Sequence, residues 1–157
     1  YYNLGVTYEK IKLPEEALKC YEQASIIEPL NASYGWNKSL MLLYLKKYKE
    51  GFNQYENRLL KKNYKYKLSG KRYKGENLEG KTLLVYTEQG FGDALLFIRL
   101  IPFIKLDRTK IILFTHKKLI KLFKYNNFAD EYYDLNNIFE LNINYDYYVS
   151  LLSLPAV

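Results

Sequence analysis

Residues 82–93 read Thr82-Leu83-Leu84-Val85-Tyr86-Thr87-Glu88-Gln89-Gly90-Phe91-Gly92-Asp93. The first six are a continuous β-prone run, the pattern of a strand buried on both faces of a parallel sheet. The next six carry two glycines and two carboxylates, and an apolar helix is predicted after them over residues 94–105. Strand, glycine turn and helix in succession open a βα unit. Ligands in such sheets bind beyond the carboxyl ends of the strands. The turn at 88–93 lies at such an end, where a helix start offers free amides and partial positive charge. Gly90 and Gly92 permit close backbone approach.

Downstream the alternation continues. Residues 110–115, Lys-Ile-Ile-Leu-Phe-Thr, read as a second strand and 117–125 as a second helix. Weaker strands are predicted near 131–135 and 145–151. Strands alternating with helices imply a parallel sheet with right-handed crossovers. A full Rossmann-like domain has about six strands, so the expectation is an incomplete lobe over 81–157. Its glycines form no dinucleotide fingerprint, because Leu96 or Phe97 stands where a third small residue belongs. No Gly-Lys-Ser/Thr follows, so it is not a P-loop.

Upstream, residues 64–80 read as a basic connector. Lys65, Lys67, Lys71, Arg72 and Lys74 alternate with Tyr64, Tyr66 and Tyr73. Basic residues among aromatics suit single-stranded nucleic acid, but no OB or RRM pattern follows. The reading adopted is a solvated connector whose rings pack on the domains it joins. Nucleic acid is not the expected partner.

The first 63 residues are predicted to be helical hairpins. Tyr1, Leu4-Gly5, Tyr8, Ala17, Tyr21, Ala24 and Pro29 fill the slots of the tetratricopeptide pattern. Gly5 and Ala24 are small where two helices cross. Leu4, Tyr8 and Tyr21 are expected to fill the groove around them. Pro14 starts the second helix, Glu15 and Glu16 suit its first turn, and Pro29 ends it. A weaker copy follows, with Ser39 for Gly5, Leu42 for Tyr8, Gly51 for Ala17 and Tyr55 for Tyr21. Its helices are predicted over 33–45 and 48–61. Lys38, Arg58 and Asn63 depart from the pattern, as in a terminal repeat.

Composition narrows the function classes. A net charge of +7 fits nucleic acid or anionic surfaces, yet no motif for either accompanies it. Cys20 is the only cysteine, which excludes an internal disulfide and a cysteine-rich zinc site. That fits a reducing compartment, and a cytoplasmic location is expected. No metal site is expected. No apolar run approaches the length of a membrane span; the longest, 94–104, is broken by Arg99 and Pro102. The chain opens on Tyr1 without an initiating Met, so it is expected to be cut from a longer protein with more repeats upstream.

Three side chains at the turn carry two readings each. Asp93 is a helix cap worth about 1 kcal/mol or a reacting carboxylate. Glu88 is a strand-end carboxylate bound to an amide or to Arg99, or part of a site. His116, the only histidine, ends the second strand as a capping or surface residue, or as part of the same site.

The segment Glu88-Gln89-Gly90-Phe91-Gly92-Asp93-Ala94 with Phe97-Ile98-Arg99, preceded by Gly80-Lys81-Thr82-Leu83-Leu84, resembles tetratricopeptide proteins fused to a heptosyltransferase-like glycosyltransferase domain. Trp36-Asn37, Leu42-Leu43, Glu50-Gly51-Phe52, Tyr55-Glu56, Arg58, Asp146 and Leu151-Leu152-Ser153-Leu154-Pro155 match the same family in order. Asn57 departs from its usual aromatic. The resemblance implies a two-lobed transferase in which Asp93 is the general base and Glu88, Gln89, Gly90 and Gly92 shape the acceptor site. The repeats would recruit a protein or glycan acceptor. No cofactor is expected in this chain; a nucleotide-sugar donor would bind a second lobe of the longer protein. This chain alone is therefore expected to be inactive. The alternative is a non-catalytic scaffold in which Asp93 only caps a helix. An unfinished sheet exposes an edge strand, making a homodimer through that edge one expected assembly.

Overall fold

The computed structural model describes residues 1–88 and 90–157; Gln89 lies outside the described residues. The chain forms two compact units, one built on Tyr1–Lys65 and the other on Tyr66–Pro155.

The first unit is helical. Helices α1 (Tyr2–Lys10) and α2 (Pro14–Ile27) form one hairpin, α3 (Ala32–Tyr44) and α4 (Tyr48–Tyr55) the next. Pro14 opens α2, with Glu15 and Glu16 in its first turn. Asn31 caps α3 by accepting the Ser33 amide at 3.2 Å. Lys12 and Lys46, one repeat length apart, both turn their hairpins at φ 61°, so the second copy keeps the geometry of the first. Ala17, Leu18, Tyr21, Met41 and Leu42 make the core, flanked by Tyr2, Val6 and Tyr8. The close crossing at Gly5 is real: a Cβ there would stand 2.7 Å from the Tyr21 ring.

Two expectations for this unit change. Leu4 does not fill the groove; it is 47% exposed, and Tyr1 and Ile11, the residues that flank α1, are exposed as well. The last helix also stops early. After Tyr55 the backbone tightens into a 3-10 turn, Glu56–Leu60. Arg58, in the slot held by Ala24 in the first hairpin, is buried there. It donates to Glu56 Oε1 at 2.6 Å and to the Tyr55 carbonyl at 3.3 Å. These local acceptors suit the tighter winding.

The second unit is a five-stranded parallel sheet in the order β1-β5-β2-β3-β4. The strands are β1 (Lys71–Arg72), β2 (Thr82–Tyr86), β3 (Lys110–Thr115), β4 (Glu131–Asp134) and β5 (Tyr147–Ser150). Leu83, Leu84, Val85 and Tyr86 of β2 and Ile111, Ile112, Leu113 and Phe114 of β3 are all buried, as two-sided burial requires. One face carries Leu84, Tyr86, Ile112 and Phe114. It is covered by Leu135, Ile138, Ile143 and Tyr145 from the β4–β5 connection and by Tyr66 and Leu68.

The helix predicted over 94–105 is three pieces: α5 (Phe91–Phe97), a 3-10 turn at Ile98–Leu100, and α6 (Ile101–Ile104). Pro102, which lacks an amide hydrogen, explains why one continuous helix does not form. Helix α7 spans Lys117–Tyr125. The basic segment is also more than a solvated tether. It supplies β1, whose Arg72 and Lys71 pair with β5, and it buries Tyr73 and Leu78.

Counted from β2, the order β4-β3-β2-β5 is the 3-2-1-4 start of a Rossmann-type sheet. The direction of winding reverses between β2 and β5. That reversal is the topological switch point, the place where ligands bind in open sheets of this kind.

Candidate functional site at the strand ends

The switch point is marked by a buried polar pair. Glu88, just past β2, is only 9% exposed. Ser150, the last residue of β5, donates its hydroxyl to Glu88 Oε1. The same Ser150 oxygen accepts the Leu152 amide at 3.2 Å and so caps the 3-10 turn Leu151–Ala156. Tyr66 donates to the Glu88 carbonyl at 3.3 Å. Burial pushes the Tyr66 phenol above its ordinary range, and the nearby Glu88 carboxylate adds to the effect. Thr87 and Thr115, both buried, meet through their hydroxyls at 3.5 Å beside this pair. Charge-assisted bonds of this kind fix a loop more firmly than neutral ones. Glu88 is turned into the lobe and anchors the turn.

Beyond Glu88 the chain comes to the surface. Gly90 is the residue before α5 and takes φ 86°, which favours glycine. Phe91, Gly92 and Asp93 are exposed. Asp93 sits in the first turn of α5, three residues after Gly90, and no side chain caps the helix. Its carboxylate has no hydrogen-bond partner among the described residues. A Cβ on Gly90 would lie 3.6 Å from Asp93 Oδ2, so the carboxylate rests over the glycine turn. The N-cap role weighed for Asp93 is therefore not the one it occupies.

Of the five sequence-predicted site residues, Glu88, Gly90, Gly92 and Asp93 share one turn, and Gln89 lies outside the described residues. His116 follows β3 and reaches the same turn: its ring meets Phe91 edge to face, centroids 4.8 Å apart. Ser150 and Tyr66 were not singled out as site residues. Nothing local marks Ser150, since only the strand order brings it beside Glu88. Tyr66 carried a weak signal as an aromatic in the basic segment. Among the described residues no group of three or more His, Cys, Asp or Glu side chains is placed to hold a metal. No helix of the described residues is long and apolar enough to cross a membrane.

Residues 1–29 match the tetratricopeptide repeat. The amino-terminal hairpin is a tetratricopeptide repeat. The chain is also similar to Protein FlbA of Caulobacter vibrioides, 36% identical over 68 residues, which are 41% of this chain and 11% of that protein. It thus spans a small fraction of that relative's length. No solved structure matches the chain.

Proposed function

We propose that this chain binds a protein partner through its repeat hairpins and that its α/β lobe forms the acceptor side of a glycosyl-transfer site in a longer protein. The observation supporting the first half is the repeat itself, over residues 1–29, on a unit that leaves Tyr1, Leu4, Ile11, Ile26 and Ile27 exposed. Exposed apolar side chains in such number favour a partner. Cross-linking mass spectrometry of the chain with a captured partner tests it. Cross-links from Lys10, Lys12, Lys19 and Lys38 are expected. Cross-links confined to Lys117, Lys118 and Lys121 would assign binding to the lobe instead.

The transfer reading is favoured by Asp93. An exposed carboxylate, free of capping duty, stands at the switch-point turn while Glu88 and Ser150 hold that turn in place. A carboxylate there is suited to take the proton of an acceptor hydroxyl as its oxygen attacks the sugar carbon and the nucleotide diphosphate leaves. Calorimetry with a panel of nucleotide-sugars tests the donor side. Binding to the longer protein and not to this chain is the expected result; binding to neither would leave the repeat scaffold as the function and Asp93 without a reaction.

A further inference from the structure

One polar atom at the strand ends remains unused. His116 Nε2 is buried and has no hydrogen-bond partner among the described residues. An unpaired buried group of this kind is destabilising until something pairs with it. The residue as a whole stays partly exposed. Phe91 lies against the imidazole, edge to face with centroids 4.8 Å apart, and is itself 45% exposed. Glycines flank it on both sides. Gly90 needs its positive φ, but a Cβ at Gly92 would meet nothing within 4 Å, and its φ is ordinary. Neither packing nor conformation demands glycine at 92.

We propose that His116 is a ligand-binding residue at the carboxyl ends of the strands and that Phe91 is its movable cover, displaced by a sugar-like, polyhydroxylated acceptor. A hydroxyl both donates and accepts, so it satisfies Nε2 in either tautomer. The displaced Phe91 ring offers an apolar face to the C–H side of the sugar. The class of acceptor rests on the transferase reading; the orphaned nitrogen and its cover do not.

The single histidine makes the test clean. The 157-residue chain is titrated with methyl glycosides of glucose, galactose and N-acetylglucosamine while the imidazole and Phe91 ring signals are followed by NMR. A saturable shift of both signals is expected with at least one glycoside, and about tenfold weaker binding for His116→Leu, as loss of one good hydrogen bond gives. No shift with any of the three overturns the proposal. A shift unaltered by His116→Leu overturns it as well. Two ligand-free measurements guard the structural side. His116→Leu should melt no lower than wild type; a lower melting temperature would make His116 a structural residue. Phe91→Ala should speed carbethoxylation of the histidine several-fold; an unchanged rate would remove Phe91 as the cover. A glycoside shift that His116→Leu weakens, found beside a lack of nucleotide-sugar binding, would keep this site and remove the transfer reading, so the two failures register separately.

Discussion

At the scale of single residues, Gly5 and Tyr21 show how one slot decides a hairpin. Alanine at 5 would gain up to about 1 kcal/mol of helix propensity. It would also drive a Cβ to 2.7 Å from a ring that is fully buried and tied to Glu9 by a 2.7 Å hydrogen bond. Overpacking of that kind costs about 1–3 kcal/mol, so Gly5→Ala is expected to destabilise the repeat by roughly 1–2 kcal/mol. Urea unfolding followed by circular dichroism reads it. Asp130 gives a pH-dependent case. Burial raises its pKa, but the Ile111 amide at 2.7 Å and Lys105 at 2.9 Å outweigh that and hold it below the ordinary value. A depressed carboxylate stabilises above its unfolded pKa, near 4, and the gain is lost as pH falls through the folded value. Asp130→Ala is expected to cost about 1 kcal/mol near neutral pH, discounted for its exposure. The difference from wild type should shrink as the pH drops below about 4; a constant difference would refute the ionic cause.

At the scale of elements, β2 and β5 are held together twice. Backbone pairing runs from Leu83–Tyr147 to Tyr86–Ser150, and the side chains of Glu88 and Ser150 close the far end. Ser150→Ala removes the hydroxyl that donates to the buried Glu88 carboxylate and caps the turn after β5. The expected loss is about 1–3 kcal/mol, with faster hydrogen exchange at the Leu152 amide that Ser150 caps. Unchanged exchange there would mean that the turn is held by other bonds. Strands β2 and β3 and the first hairpin were legible in the sequence because burial on two faces and the repeat spacing each leave a strong pattern; the half-buried β4 and β5 left a weaker one, and the two-residue β1 in the basic segment left none. The split of α5 from α6 was half legible, since Pro102 was visible but its effect on the preceding turns was not. The 3-10 turn at 56–60 was not legible. Arg58 was seen as a departure, yet its burial depends on partners that only the folded chain brings near. The site followed the same rule. Asp93, Glu88, Gly90 and Gly92 fall in one short stretch and are readable, whereas Ser150 joins them only through the order of strands.

At the scale of the whole molecule, the two units ask for different partners. The repeat unit presents exposed apolar side chains, and the lobe presents a carboxylate on a fixed turn. In the proposed reading partner capture and chemistry belong to different units, and a single substitution divides them. If the proposed transfer reading holds, Asp93→Asn in a protein that carries both lobes is expected to lower sugar transfer by about 10²–10⁴-fold, the usual contribution of a general base. Capture of the protein partner by the repeats should not change. The direct measurement is a radiolabelled sugar-transfer assay on the wild-type and Asp93→Asn proteins, run on samples that capture equal amounts of partner. Loss of transfer at equal capture is the predicted result; undiminished transfer by Asp93→Asn would contradict the assignment of the strand-end turn as the reacting site.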